Sequence, residues 1–552
     1  MSTGSSKYDI PTPTERDPLL GRDKGPSDEE RASGQGQRHD GHDDDTPLPN
    51  EPTTGELMLI MIGPWIGSFL AAVDSTIVAT LTAPISASFN SLSLLSWLAS
   101  SYFIANAALQ PLSGRLTDII SRKWGLVLST ILFASGNLIC GLAQTEWVMI
   151  FGRVIAGCGG GCLNSISTFV GSDLIPLRRR GVWQGFGNIN YGVGAAVGAV
   201  LGGWINDALG WRAAFLLLVP FTAVSGILSA WKVNVPVKFS EKSALKRIDF
   251  LGAFTLILSL VLLLLALNSG GNIVPWNHPL IYVSLPLSAL FLVMFYYVER
   301  NHASEPMIPV KLLGDRTVIA ACFTNMFSSM TIFAILYYVP IYFQVKGLST
   351  TEAGVRLAPS SIGIAVGSVS SGLIMRKTGR YWYLSLAIMI QYVAANVLIS
   401  SFTLTSPLWL TIISIFMAGL GHSGMLTVTL IAFISAVEHH HQAVVTSASY
   451  AFRSTGSAMG ITIASAVFQN LLSRNLWAAI GDWKGGPEVI GRLKDNLDVI
   501  KELPSEWKSV VQPAYMESLR GVFLTTLGMC VLSTLFSVAM REHKLYTSLS
   551  RQ

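Results

Sequence analysis

The sequence contains little charge. Only 13% of its 552 residues are Asp, Glu, Lys or Arg, whereas a soluble globular domain carries about 25%. Half of the residues are hydrophobic, and the mean hydropathy is +0.48. Apolar stretches of about 18 residues or more, the length that a membrane-spanning helix needs, recur along most of the chain. These features exclude a string of soluble domains and predict an all-α membrane protein.

Cysteine is also scarce, with five residues in the chain, and none forms a pair with metal-site spacing. We therefore predict no metal centre and no cofactor. The sequence offers no nucleophile–base pair and no phosphate-binding loop, which argues against an enzyme. The net charge of +5 does not indicate nucleic-acid binding, because Lys and Arg are scattered between the apolar stretches.

The apolar stretches are interpreted as fourteen membrane spans, of which the last two cover residues 443–471 and 519–540. Lys and Arg concentrate in alternate loops, and the short loops on the other side contain only Arg212 and Lys346. The positive-inside rule then places the N-terminus in the cytosol, and an even number of spans places the C-terminus there too. No apolar segment follows Met1, so we expect no cleaved signal peptide.

An internal repeat divides the chain into similar halves. Gly114 precedes Arg122 by eight residues, and Gly372 precedes Arg380 by the same distance, 258 residues later. The same offset relates Gly198 and Gly202 to Gly456 and Gly460. Two parallel six-span halves with the solute site between them are a known transporter architecture. Spans seven and eight are then an insertion between the halves.

The predicted segments follow from this repeat. They are a disordered cytosolic tail (1–54), an N-terminal six-helix bundle (55–231), a linker with two extra transmembrane helices (232–316), a C-terminal six-helix bundle (317–540) with a luminal loop (472–518), and a cytosolic tail (541–552). The first tail is assigned as disordered because it is polar, rich in Pro and Gly, and nearly free of aromatic residues.

Several motifs together resemble those of one transporter family. They are Asp74-Ser75-Thr76-Ile77-Val78, Gly114-x-Leu116-x-Asp118-x-x-Ser121-Arg122-Lys123, Arg153-x-x-x-Gly157 and Gly194-x-x-x-Gly198-Ala199-x-x-Gly202-Gly203. The chain resembles the major facilitator superfamily, specifically its fourteen-span drug:proton antiporter branch. That resemblance implies two six-helix bundles plus two inserted helices, fourteen transmembrane helices in all. Ser121 stands where the family usually has Gly, and Ala199 replaces the usual proline of the antiporter motif.

Within this branch, the chain resembles the fungal vacuolar basic amino acid transporters. The similarity rests on Gly63-Pro64-Trp65, on residues 72–80 and on Ile104-Ala105-Asn106-Ala107-Ala108. The tail also contains an acidic-x-x-x-Leu-Leu sorting pattern, formed by Glu15, Leu19 and Leu20, of the kind that adaptor complexes read at vacuolar or lysosomal membranes. The resemblance and the pattern together imply a vacuolar membrane protein whose tail binds an adaptor.

The resemblance implies proton-coupled antiport of Lys, Arg or His from the cytosol into the vacuole, by alternating access, in a monomer. Each proton that leaves an acidic lumen contributes about 1.4 kcal/mol per pH unit. Two alternatives remain open. One is a plasma-membrane multidrug or toxin:proton exporter on the same fold, and the other is a nutrient receptor that binds amino acids without transporting them.

Asp74 lies in the middle of the first span. A carboxylate at that depth costs about 3 kcal/mol or more unless it is paired, neutralised or hydrated. We therefore predict that Asp74 carries the coupling proton or contacts a cationic substrate, with Arg153 of span four as its candidate partner. A static structural Asp–Arg pair is the alternative.

Asp118 and Arg122 lie four residues apart, so they share one face if the segment is helical and can pair there. With Gly114 they are predicted to form a conformational latch, the alternative being a simple topology signal. The glycines of span five, at four-residue spacing, predict a flat face against which another helix slides. They are Gly194, Gly198 and Gly202, followed by Gly203.

Other polar residues within the spans are candidates either for lining a cavity or for joining helices by hydrogen bonds. They are Asn106, Asn188, Asn190, Tyr191, His422 and Arg453. Of these, His422 could also relay protons, because its side chain titrates near neutral pH.

Overall fold

The structure is a computed structural model that describes residues 53–543, apart from 90–92, 176, 235–248, 271–273, 302–313, 438–441, 496 and 498. Within these residues the chain is almost entirely helical and has no β-strand. The predicted tail and its sorting residues Glu15, Leu19 and Leu20 lie outside the described residues, as does the side chain of Asp118.

Fourteen long helices correspond in order to the fourteen predicted spans. They are α1 (Thr54–Phe89), α2 (Ser93–Ile120), α3 (Arg122–Leu142), α4 (Glu146–Leu174), α5 (Leu177–Leu209), α6 (Trp211–Lys232), α7 (Phe250–Ser269), α8 (Pro279–Asn301), α9 (Arg316–Val345), α11 (Ala358–Thr378), α12 (Trp382–Ser400), α13 (Leu408–Ala436), α14 (Gln442–Ile480) and α17 (Ser505–Ala539). Three short helices complete the described chain: α10 (Thr350–Val355), α15 (Gly486–Asp495) and α16 (Val499–Glu502).

Twelve of the long helices in the described residues are long and apolar enough to cross a membrane, and α2 and α14 are not among them. These two helices pack against each other. The hydroxyl oxygens of Ser100 in α2 and Thr462 in α14 are 2.8 Å apart, and Ser454 Oγ donates to Gln110 Oε1 at 2.7 Å. Some of their polar side chains therefore face the neighbouring helix. That α2 and α14 span the membrane remains a prediction.

The helices form two six-helix bundles. Helices α1–α6 pack together in the first half, whereas α9, α11–α14 and α17 pack together in the second. The halves meet where α2 contacts α14, where α5 contacts α10 and α11, and where α1 contacts α9. This arrangement confirms the fold predicted from the sequence.

The inserted helices α7 and α8 form a hairpin beside the junction of the halves. Ser259 Oγ donates to the Ser288 carbonyl at 3.0 Å, and Ser288 Oγ donates back to the Ser259 carbonyl at 2.9 Å. Helix α7 contacts both α2 and α14. Its side chains Leu256 and Leu260 belong to a small apolar cluster with Ala107 of α2 and residues of α8 and α14.

The segment 472–518, expected to be a loop, is mostly helical. Helix α14 continues to Ile480 and α17 begins at Ser505, with α15 and α16 between them. The Trp483 and Trp507 rings pack with centroids 5.0 Å apart and so hold the two long helices together beyond the predicted spans. The helices continue beyond the predicted span ends at 471 and 519, because the charged residues of this segment hid an apolar face that packs on its neighbours.

Candidate functional site

A cavity of about 170 Å³ lies between the two halves. Helices α1, α2, α4 and α5 line it from the first half, and α9, α11, α13 and α14 line it from the second. Its lining extends from Thr76 and Ser457, in the middle of their helices, to Met61, Ile175 and Trp183. The last three lie near the end of the bundle at which α1 begins and α4 ends. We call this the inner end, because the sequence predicts that it faces the cytosol.

The opposite, outer end is closed by contacts between the halves. At Gly354 of α10, a Cβ atom would lie 2.1 Å from the carbonyl oxygen of Ala199 in α5. At Gly203 of α5, a Cβ atom would lie 2.6 Å from Thr351 Cα. The Thr351 hydroxyl also donates to the carboxylate of Asp207. The structure therefore shows a conformation in which the halves touch at the outer end while the cavity extends towards the inner end.

Most of the predicted polar candidates lie on the wall of this cavity: Asn106, Asn188, Tyr191, His422 and Arg453. The sixth, Asn190, is not a lining residue. Its Nδ2 donates to the Trp65 carbonyl at 2.8 Å, so it joins α5 to α1 within the first half. Sequence reasoning thus identified polar residues of the right kind but could not tell a wall residue from one that bonds two helices.

Asp74 and Arg153 form an ion pair beside the cavity rather than on its wall. Arg153 Nη1 donates to both carboxylate oxygens of Asp74, at 3.0 and 2.8 Å, and neither side chain is exposed. Arg153 Nε donates to the Leu98 carbonyl at 3.1 Å, and the guanidinium lies 4.4 Å from the centroid of the Tyr102 ring. The pair links α1, α2 and α4.

The position of this pair relates it to the cavity. Ser75 follows Asp74 directly in the chain and lines the cavity. Arg153 Nη2 is buried without a hydrogen-bond partner in the part of the chain that the structure describes. A buried pair of this kind is strongly destabilised when one partner is removed, because the other charge is left uncompensated. A change in the charge of Asp74 would therefore be felt both by Arg153 and by the adjoining cavity wall.

Arg453 is the charged side chain on the cavity wall. The residues that line the cavity in the described chain include no Asp or Glu. The Arg453 guanidinium lies 5.0 Å from the centroid of the Tyr450 ring, and no carboxylate in the described residues pairs with it. Nearby on the wall, His422 Nδ1 shares a hydrogen bond of 2.9 Å with Ser328 Oγ. The sequence identified Arg453 as a candidate. It could not show that no carboxylate of the described residues pairs with this side chain.

Arg122 of the predicted latch pairs with a residue that the sequence did not suggest. Its Nε donates to Asp173 Oδ2 at 2.9 Å, near the end of α4. It also donates to the Gly114 carbonyl at 3.1 Å and to the Thr117 hydroxyl, so it ties the end of α2 to α4. The sequence does contain one signal for this partner, because Asp173 is an acidic residue at the predicted cytosolic end of span four. A latch at this position remains a prediction.

Removing the Arg122–Asp173 pair should slow transport. A hydrogen bond to a charged group contributes about 1.5–3 kcal/mol, and this one joins two helices at the inner end. We expect Asp173→Arg to lower the initial rate of solute uptake into vesicles about tenfold, and the swap Arg122→Asp/Asp173→Arg to recover part of the loss. Removal of the exposed Arg492–Glu502 pair by Arg492→Gln is the control. A single variant with full activity, or a swap without recovery, would argue against the latch.

The glycine face of α5 packs on α1, within the same half. A Cβ atom at Gly198 would lie 2.3 Å from Thr76 Oγ1, and one at Gly194 would lie 2.7 Å from the Phe69 carbonyl oxygen. At Gly202 the nearest atom of α1 is 3.2 Å away. The close approach lets α5 hold the segment of α1 that carries Asp74. Of the four predicted glycines, Gly203 alone faces the other half.

Comparison with known proteins agrees with this architecture. The sequence model of the Major Facilitator Superfamily matches residues 64–461. "Multidrug resistance protein fnx1" of Schizosaccharomyces pombe is 37% identical over 88% of this chain and 93% of its own length. "Vacuolar membrane amino acid uptake transporter fnx2" of the same organism is 32% identical over 88% and 84%. "Vacuolar basic amino acid transporter 1" of Saccharomyces cerevisiae is 31% identical over 76% and 79%.

Among solved structures, a bacterial homologue of the human lysosomal transporter Spinster, in an inward-facing and unoccupied conformation, has a similar fold. The TM-score is 0.60 at 16% sequence identity, covering 89% of this chain and 98% of that one. At this identity the likeness concerns the arrangement of the helices. The family match and the transporter relatives identify a multi-pass membrane transporter of small molecules and not an enzyme.

Proposed function

We propose that this chain, which belongs to the Major Facilitator Superfamily, moves basic amino acids from the cytosol into the vacuole in exchange for protons. The observation that carries the proposal is the cavity between the halves, closed at its outer end, with the buried Asp74–Arg153 pair directly behind its wall. Alternating access needs such a cavity, and proton coupling needs a group whose charge can change next to it.

The proposed coupling acts through α1. Ser75 and Thr76 lie on the wall immediately after Asp74, so a change in the Asp74–Arg153 pair shifts the backbone to which they belong. Protonation of Asp74 from the lumen, while the outer end is open, would weaken its bond with Arg153 and favour closure of the outer end. Release of the proton to the cytosol would then restore the pair seen in this conformation. An acidic lumen drives this cycle, and each proton that leaves it contributes about 1.4 kcal/mol per pH unit. A lumen-positive potential adds about 2.3 kcal/mol per 100 mV for each net positive charge that leaves the lumen, so a one-for-one exchange of a proton for a cationic amino acid gains nothing from it.

The names of two relatives support the proposed substrate and the proposed location. One relative is named as a vacuolar membrane amino acid transporter and another as a vacuolar basic amino acid transporter. The acidic-x-x-x-Leu-Leu pattern at Glu15, Leu19 and Leu20 supports delivery to the vacuole through an adaptor. We propose a vacuolar membrane protein with both termini in the cytosol that works as a monomer.

Export of drug-like cations is the second candidate. It is favoured by the relative at 37% identity that is named a multidrug resistance protein. The cavity also has aromatic side chains, including Phe103, Trp65 and Trp183, that a flat apolar solute could contact. A multidrug exporter would take up aromatic cations in the same vesicle assay, whereas an amino acid transporter would not.

Uptake by vacuolar vesicles tests the proposed function. Vesicles that contain the protein, energised by ATP, should accumulate labelled Lys, Arg and His above vesicles that lack it, and a protonophore should abolish the difference. Uptake of neutral amino acids and of an aromatic dye cation should stay at background. A difference for the dye alone would select drug export, and binding of lysine without uptake would select a receptor. A fluorescent fusion at the plasma membrane would contradict the vacuolar location.

A further inference from the structure

The cavity wall has a cation and hydrogen-bond donors, whereas none of the described residues that line it is acidic. Arg453 projects from α14 without a carboxylate partner in the described residues, and those described residues that line the cavity include no Asp or Glu. A site built to bind an ammonium or guanidinium group by charge would show the reverse pattern, because such groups pair best with carboxylates. The charge of this wall suits an anionic group.

Two amides next to Arg453 add to this character. Ser454, the following residue, donates to Gln110 Oε1 at 2.7 Å and lies 3.2 Å from Asn106 Oδ1. These contacts occupy the amide oxygens, and neither amide nitrogen has a hydrogen-bond partner among the residues that the structure describes. The nitrogens can therefore donate to a bound solute. Arg453, Asn106 and Gln110 all line the cavity, so their donors serve one site.

We infer that Arg453 binds the α-carboxylate of the transported amino acid, with Asn106 and Gln110 as further donors. This inference rests on the proposed function, because it names how an amino acid is recognised in the same cavity. A planar guanidinium matches a carboxylate with two parallel hydrogen bonds, whereas a lysine ammonium is a point charge. The carboxylate, which all amino acids share, is thus the anchor, and the substrate's side chain contacts another wall.

The cationic side chain of the substrate is held by aromatic faces on the opposite half. A cation placed beside Arg453 would be repelled, so the bound substrate points its side chain away from α14. Trp65 of α1 and Trp183 of α5 line the cavity from the first half, with ring centroids 5.7 Å apart. Aromatic faces attract cations without carrying charge themselves. A bound basic amino acid then connects the two halves, its carboxylate held between Arg453 of the second half and the amides of α2, and its side chain on α1 and α5 of the first half.

A comparison of lysine with its decarboxylated form, cadaverine, separates the contribution of the α-carboxylate to binding from that of the cationic side chain. Binding of labelled lysine to the purified full-length protein in detergent is measured together with displacement by cadaverine and by lysine methyl ester. In the wild type, both analogues should displace lysine at concentrations about 10- to 100-fold higher than lysine itself requires, because each lacks the carboxylate charge. Arg453→Gln should weaken lysine binding by the same factor and should not weaken cadaverine binding. Arg453→Lys should fall between them.

Arg474→Gln is the matched control, because Arg474 is an exposed arginine on the same helix that does not line the cavity. It should bind lysine like the wild type, and every variant is compared at equal monodispersity in gel filtration. Equal displacement by lysine and cadaverine in the wild type overturns the inference. So does an Arg453→Gln variant that keeps the preference for lysine, or one that loses both ligands equally. Vesicle uptake of lysine by the wild type in those cases leaves the proposed function standing. A wild type that neither binds nor takes up Lys, Arg or His overturns both.

Discussion

Replacing Asp74 with asparagine is expected to reduce proton-driven uptake to background while leaving lysine binding close to the wild-type value. Asn cannot release a proton, so the charge of this position no longer responds to the lumen. Binding should survive because Asp74 lies behind the cavity wall and not on it. The sequence alone allowed Asp74 to contact the substrate. Its position behind the wall and its bond with Arg153 favour the coupling role instead.

The same substitution should destabilise the protein, and a second variant separates stability from coupling. Asp74→Asn leaves the Arg153 guanidinium buried without a counter-charge, which costs about 3–5 kcal/mol in comparable buried pairs. Asp74→Asn/Arg153→Gln removes both charges and should recover most of the thermal stability. It should not recover proton-driven uptake. If the pair had only a structural role, the double variant would recover proton-driven uptake together with its thermal stability.

Three measurements on the same preparations decide this prediction: the thermal unfolding midpoint, lysine binding, and uptake with and without a pH gradient. Exchange of labelled for unlabelled lysine at equal pH on both sides is the control for solute movement without proton flux. If vesicles that contain the Asp74→Asn protein accumulate lysine when a pH gradient is imposed, Asp74 has no part in the coupling step.

Gly354→Val is expected to lower uptake at least about tenfold by keeping the outer end open. The Cβ atom that this change adds would lie 2.1 Å from the Ala199 carbonyl oxygen, a distance that no packed side chain can occupy. Overpacking of this kind costs about 1–3 kcal/mol. The cost applies only while the halves touch at the outer end, so it shifts the population towards conformations in which they are apart.

Spin labels across the outer end report that shift directly. Ala208 at the end of α5 and Val355 at the end of α10 are exposed on the two sides of the contact. Labelled cysteines at these positions, with Cys158 replaced by alanine, should show a longer mean distance in the Gly354→Val protein. Gly372→Val is the control, because a Cβ atom at Gly372 meets nothing within 4 Å. An unchanged distance distribution together with normal uptake would show that this contact does not limit the cycle.

The sequence predicted the helices better than their ends. Each apolar stretch became a helix, because a run of about twenty apolar residues in a membrane has no other way to satisfy its backbone. The ends of α14 and α17 were missed because charged residues around Trp483 and Trp507 resembled those of a loop, while packing between distant segments kept them helical. The hydrogen bonds between polar side chains of α2 and α14 likewise depend on a contact between the two helices that the sequence does not show.

The site was predictable where residue chemistry alone decides it. A carboxylate in the middle of a span demands a partner, and Arg153 was one of few candidates. The partner of Arg122 was not predictable, since Asp173 approaches it only when α4 packs against α2 and α3. Sequence could not separate the wall residue Asn188 from Asn190, which is two positions away and bonds to the Trp65 carbonyl, because burial depends on how each helix is rotated.

The α7–α8 hairpin has a consequence for the route by which a solute reaches the cavity. The two halves of this fold meet along two lateral seams, and α7 covers the one between α2 and α14. A molecule dissolved in the surrounding lipid would meet the exposed side chains of α7, such as Leu251, Phe254 and Val261, and not the polar pairs behind that helix. On this flank α7 therefore closes the lateral route from the bilayer to the seam between α2 and α14, a closure that would hinder an oily drug more than a charged metabolite.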